Sequence, residues 1–200
     1  PGNITVSFAG HATIATLQNA EGLAVNGDFS VLGLCNNAGV VEVQSGELIL
    51  RGGGTSTGSY FGAPGTTLGL WGSHTLTGSS SIVGDTVNLF AGFWEVPMTI
   101  GGTYSASGDT TVGGGGDYNG QTNFTGTVLS VGNTLTINGT ADFGTNSFST
   151  AVLDISLYSV STLRGSGNVI WRDLLFLLFV FRIRFQKKPL GLQQRYLYDQ

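Results

Sequence analysis

Charge is what this chain has least of. Charged residues make up 10% of its 200, against about 25% in an ordinary soluble domain. Residues 1–171 hold ten acidic groups and only two basic ones, Arg51 and Arg164, a net of −8. A body so poor in Lys and Arg cannot neutralise phosphates, which argues against nucleic acid as a partner. The one cysteine, Cys35, excludes an internal disulfide framework and a CxxC metal site. Amid apolar neighbours it reads as a small buried side chain. Histidine is nearly as scarce, with only His11 and His74. The apolar run Leu174–Phe181 falls far below the ~18–20 residues needed to cross a bilayer. The chain opens on Pro1-Gly2, without Met and without the basic region and apolar run of a signal peptide. That start predicts an internal fragment whose export cannot be read from this end.

Glycine is abundant instead, at 33 residues, more than twice the ordinary share of about 7%. Disorder normally combines low hydrophobicity with high net charge. Here 40% of residues are hydrophobic and the mean hydropathy is +0.19. An ordered, turn-dense all-β protein fits better.

The chain also repeats itself at an offset of 87 residues. Gly39–Leu50 reads GVVEVQSGELIL and Gly126–Ile137 reads GTVLSVGNTLTI. Leu68–Ile82 reads LGLWGSHTLTGSSSI and Ile155–Val169 reads ISLYSVSTLRGSGNV. The matched Val, Leu and aromatic positions carry the weight: Val41/Val128, Leu48/Leu135, Leu70/Leu157, Leu76/Leu163 and Trp71/Tyr158. Strand-like stretches such as Glu47–Leu50, Thr86–Leu89 and Thr134–Ile137 alternate apolar with polar residues, which puts one side in a core. Helical spacing with caps occurs nowhere in residues 1–171. Glycines at 39, 46, 52, 58, 65, 72, 78, 84 and 92 punctuate the chain every six to eight residues, suiting corners where φ must be positive. Three such strands make a coil of about 20–22 residues, so the offset corresponds to about four coils of a parallel β-solenoid. An antiparallel sandwich is the competing architecture. The expected inward ladders contain Val41, Val43, Leu48, Leu50, Leu68, Leu70, Leu76, Ile82, Val87, Leu89, Val128, Leu135, Ile137, Ile155, Leu157 and Leu163.

This divides the chain into a repeat domain, 1–171, and a tail, 172–200. The tail reads RDLLFLLFVFRIRFQKKPLGLQQRYLYDQ, with six basic groups against two acidic. It loses the in/out alternation and is expected to leave the coil register. Three readings fit: sequence foreign to the repeat from a frame change or mispredicted end, a cap on the last coil, or an interfacial anchor through which alone the chain would touch a membrane. The abrupt change in glycine use and charge favours the first.

Chemistry-bearing residues are thinly spread. His74 aligns with Ser161 across the repeat and so reads as an exposed strand position rather than a ligand. Glu42, Glu47 and Asp85 are single carboxylates that coil stacking alone could bring together, and Arg51 and Arg164 have no evident acidic partners. GGGGDYNG (113–120) is similar to a calcium-binding nonapeptide, but it occurs once and Asp117 is displaced by one position, so a corner fits better. Thr75/Thr77 and Thr134/Thr136 suit an ice-binding ladder in kind, yet two sets fall short of one per coil. The sequons at Asn3, Asn123 and Asn138 matter only if a eukaryote secretes the chain. No catalytic, cofactor-binding or metal-binding residue is singled out, and no cofactor is implied.

The stretches GELILRGGGTSTGSY (46–60), GTTLGLWGSHTLTGSSSI (65–82) and STLRGSGNV (161–169) resemble the repeats of bacterial filamentous-haemagglutinin-like adhesins. They are equally similar to autotransporter passengers with autotransporter-associated β-strand repeats. The resemblance spans about residues 25–170 and implies a right-handed parallel β-helix. It further implies a secreted or cell-surface, outer-membrane-associated location and a non-enzymatic stalk or adhesive function. Partners would then be glycans or proteins of host or neighbouring cells. A carbohydrate-active β-helix enzyme or a glycan-binding module is the alternative.

Overall fold

A computed structural model describes residues 4–92, 96–113, 120–155, 161–175 and 191–194; for residues 4, 6–9, 171–175 and 191–194 it describes the backbone alone. Every described pairing between strands is parallel, and no helix occurs among the described residues. Sandwich-type hairpins between consecutive strands are absent from these pairings. The molecule is a parallel β-solenoid.

Each coil contributes up to three strands. One sheet stacks Leu17–Asn19, Cys35–Asn37, Gly54–Ser56, His74–Leu76, Met98–Ile100, Gln121–Phe124, Thr140–Asp142 and Thr162–Arg164. Eight rungs in this sheet make about 34 Å of length at ~4.8 Å per step. The larger sheet joins two stacks through the long strand Gly22–Val31. Its first half pairs with Val40–Ser45 and its second half with Glu47–Leu50. The first stack continues through Ser59–Gly62, Ser81–Gly84, Thr103–Ala106 and Thr127–Val131. The second continues through Thr67–Trp71, Thr86–Phe90, Asp109–Gly113, Thr134–Asn138 and Phe148–Ile155.

The offset of 87 residues is four coils. Leu48 pairs onward through Leu68, Val87 and Thr110 to Leu135. Val41 runs through Tyr60, Ile82 and Tyr104 to Val128. Coil length is less regular than expected, from 17 residues (Ile14 to Val31) to 25 (Val112 to Ile137). This irregularity breaks the second half of the sequence alignment. Leu70 leads through Leu89, Val112 and Ile137 to Ile155, two residues short of Leu157. Leu157 and Tyr158 themselves lie outside the described residues.

The expected inward residues that the structure describes are buried, with Ile155 and Leu163 half-buried against the same core; Leu157 lies outside them. Burying a Leu or Val in this way contributes about 1.5–3 kcal/mol. Towards the C-terminal end aromatic rings replace aliphatic ladders. Tyr104 meets Phe124 edge-on at 5.2 Å, Phe124 stacks on Phe143 at 4.4 Å, and Phe143 tilts onto Phe148 at 4.4 Å. Buried phenols need a partner: Tyr104 shares a 2.7 Å hydrogen bond with Thr110, and Tyr60 one of 2.7 Å with Ser56. Cys35 is buried as expected, its sulfur 3.7 Å from the Tyr60 hydroxyl, and burial pushes its thiol pKa up.

The ladder runs past the expected boundary at Trp171. Asp173, Leu174 and Leu175 pair with Val152, Leu153 and Asp154, and Gly191–Gln194 pairs with Asn168–Trp171. For these residues the expected departure from the coil register does not hold. Loss of alternation governs which side faces the core, whereas the backbone ladder needs only N–H and C=O groups. The remainder of the tail, including most of Leu174–Phe181, lies outside the described residues.

Corner glycines act differently from the expectation. Gly46, Gly65 and Gly72 do take positive φ, but Gly39, Gly58 and Gly126 do not. A Cβ on Gly126 would run into the Gly102 carbonyl, and one on Gly58 into the Gly39 carbonyl. Successive coils approach there backbone to backbone. Gly126→Ala should therefore cost about 3 kcal/mol or more, at the upper end of overpacking penalties. A Cβ on Gly78 would meet no protein atom nearer than 3.9 Å, so Gly78→Ala should stay within about 1 kcal/mol of the parent. Urea unfolding followed by circular dichroism checks the pair; equal losses would show that close approach is not what selects glycine.

Candidate functional site

The three outer faces differ in chemistry. The first stack exposes Val40, Phe61, Val83 and Leu129. On the second, Arg51 lies 4.3 Å over the Trp71 ring and Trp71 meets Phe90 edge-on at 5.3 Å. Both aromatic side chains are half-buried, and this cluster engages Arg51 through a cation–π contact.

The eight-stranded sheet presents outward a row of polar residues, one from each rung. They are Gln18, Asn36, Thr55, Thr75, Thr99, Asn123, Asp142 and Arg164, exposed or half-exposed and in register. Short strands with the inward positions taken by Cys35, Ser56, Leu76, Ile100 and Phe124 leave these outward positions free of packing duty. Two grooves open on this side. One of about 670 Å³ is lined by Gln18, Asn36, Thr55 and Thr57, above an asparagine ladder in which Asn19 Nδ2 donates to Asn37 Oδ1 at 2.8 Å. The other, about 450 Å³, is lined by Gln121, Asn123, Thr125, Asp142 and Thr145. Thr75 belongs to this face, whereas Thr134 and Thr136 lie on the second stack. The two Thr-x-Thr sets are not brought together.

The carboxylates are mostly absorbed by corners. Asp85 Oδ2 accepts the Gly65 N–H at 2.8 Å and its Oδ1 the Ser107 hydroxyl at 2.9 Å. The Gly65 N–H, then Ser107, hold its pKa below the ordinary value. Asp28 accepts the Glu47 N–H at 3.2 Å, and Asp109 the Thr134 N–H at 3.0 Å. Glu42 faces outward and takes a 3.2 Å bond from Gln44, while Glu47 opens a strand of the second stack. Coil stacking thus places Glu42, Glu47 and Asp85 on different strands and corners and does not gather them into one site. Among the described residues no group of three or more His, Cys, Asp or Glu is arranged to hold a metal ion. The segment around Asp117 lies outside the described residues, and His11 is exposed.

His74 corrects an expectation. It is fully buried rather than an exposed strand position. Partners in the ladder explain the error: Thr75 leads through Thr99, Asn123 and Asp142 to Arg164, so His74 matches inward Leu163 and not Ser161. Its Nε2 lies 3.2 Å from the Leu50 carbonyl, and since a carbonyl only accepts, Nε2 carries the proton. Nδ1 is buried without a well-formed hydrogen bond, beside the Trp71 carbonyl. Burial pushes the pKa down, against smaller upward pulls from the Leu50 and Trp71 carbonyls. Below about pH 6.5 the unfolded histidine gains a proton that the folded one refuses. Stability should then fall as pH drops through that value, by at most about 1.4 kcal/mol per unit. Urea unfolding at pH 7.5, 6.5 and 5.5 checks this. His74→Leu should flatten that part of the profile; an unchanged slope would assign it elsewhere.

No protein-family model matches the chain, and neither do any of the curated proteins or solved structures compared with it; its function is therefore read from the faces described above.

Proposed function

We propose that this chain is a non-enzymatic structural and adhesive segment of a bacterial surface or secreted repeat protein, working outside the cell. The observation that carries the reading is the unbroken polar ladder from Gln18 to Arg164. It offers an extended ligand a hydrogen-bonding side chain at each step, along a body of about 34 Å. Fixed side chains on a rigid sheet hold those groups with little ordering cost on binding. The partners this suits are glycans or proteins of neighbouring or host cells. Hydrolysis of a glycosidic bond would need two carboxyl groups flanking one bond. Asp28, Asp85 and Asp109 are instead engaged by backbone N–H groups at corners.

Purified protein should be retained on bacterial or host cell layers through washing, and should release no reducing sugar from cell-wall or host polysaccharides. Release of reducing sugar that tracks protein concentration would replace the adhesive reading with the carbohydrate-active enzyme. Absence of retention on every cell layer tested would remove the adhesive part of the proposal.

A further inference from the structure

We infer that the outer face of the eight-stranded sheet binds one extended chain of a neutral, hydroxyl-rich polysaccharide lying along the solenoid axis and seated in both grooves. The inference rests on the adhesive reading and names its ligand.

Spacing comes first. Asn36 and Asn123 are four rungs apart, through Thr55, Thr75 and Thr99. At ~4.8 Å per rung this is about 19 Å. One rung is close to the length that one pyranose residue adds to an extended chain. A periodic polymer can therefore meet an equivalent side chain at each sugar, which a folded protein surface does only by accident.

The free valences also fit hydroxyl groups. Asn36 Oδ1 is occupied by the Thr55 N–H at 3.0 Å, and Asn123 Oδ1 by Gln121 Nε2 at 2.6 Å. Both amides are thus oriented with their NH2 groups available as donors. Asp142 Oδ1 takes the Gly144 N–H at 2.9 Å, leaving Oδ2 to accept. Thr55 in the first groove, and Thr75 and Thr99 between the grooves, supply hydroxyls that donate and accept. A sugar hydroxyl also does both, so a line that holds both donors and acceptors can pair with a row of them. Side chains already held by a hydrogen bond lose little freedom on binding.

Charge selects among polymers. The body carries a net of −8 and, among the described residues, this face holds a single cation, Arg164, at its last rung. A polyuronate or sulfated chain would meet repulsion without the Arg and Lys groups that bind such anions. A protein partner is less well served, because binding hot spots favour Trp, Tyr or Arg anchors in well-packed, desolvated pockets, whereas both grooves of this face are lined mostly by Asn, Gln and Thr. Its backbone groups are also occupied within the ladder.

Affinity electrophoresis of the full chain tests this, in gels containing mixed-linkage β-glucan, galactomannan or xylan, with polygalacturonate and hyaluronate as acidic counterparts. At least one neutral polymer should retard the protein and neither acidic one should. Calorimetry with oligosaccharides of two to six units from the retarding polymer should show affinity rising until the chain spans the four rungs. Asn36→Ala and Asn123→Ala should each weaken binding about five- to tenfold, as loss of a hydrogen bond would. Val83→Ser, on the first stack, should leave it unchanged, with circular dichroism confirming that all three variants fold. Retardation by no neutral polymer, preference for an acidic one, or equal loss from Val83→Ser overturns the inference. If cell retention persists in those cases, the adhesive reading stands and only the ligand class falls. If both are lost, the adhesive reading fails with it.

Discussion

Closure of each coil onto the backbone of the one before it is the constraint on which the rest depends. Parallel ladders run through all three strand positions, and a coil that misses register forfeits a row of hydrogen bonds and sends its apolar residues to the wrong side. The corner before the first stack shows how tightly this is set. Gly39 lies against Glu21, Gly58 against Gly39, Gly102 against Ser80 and Gly126 against Gly102, each too close for a Cβ. Glycine content in this chain is thus tied to stacking distance as well as to turning. Backbone N–H groups left over at the other corners find Asp28, Asp85 and Asp109. Three of the protein's twelve acidic residues are used in this way.

Much of this architecture was legible in the residues. The Val41/Val128 and Leu48/Leu135 matches identify positions on one ladder, and period-two strands such as Thr86–Leu89 lie where the alternation puts them. Strands without that apolar signal, such as Gly54–Ser56 and Thr140–Asp142, were not legible. They are three residues long, polar or glycine-bearing, and held by neighbours about 20 residues away. Local propensity says little about such segments because packing decides them.

The polar face was hidden for the same reason that His74 was misplaced. A fixed offset assumes coils of equal length, whereas 17 to 25 residues separate partners here. The extra residues sit between strands, so an alignment without gaps slides off the true rung after a few coils. Only with pairing in view do Gln18, Asn36, Thr55 and Asn123 fall into one line. In sequence they are separated by unequal intervals and belong to no motif. The buried histidine carried a usable signal, since it alternates with Leu76 two residues on and shares its inward side.

The backbone hydrogen bonds of a parallel solenoid point along its axis, which gives the stack a mechanical direction. Tension applied end to end loads each ladder in peeling, so the terminal coil detaches row by row while the coils behind it keep their contacts. Each detached coil frees 17 to 25 residues, or about 55–90 Å of extended chain at 3.3–3.6 Å per residue. A fibre built this way yields by discrete lengthening instead of snapping. Load applied across the axis meets whole ladders in shear and finds the same protein stiff.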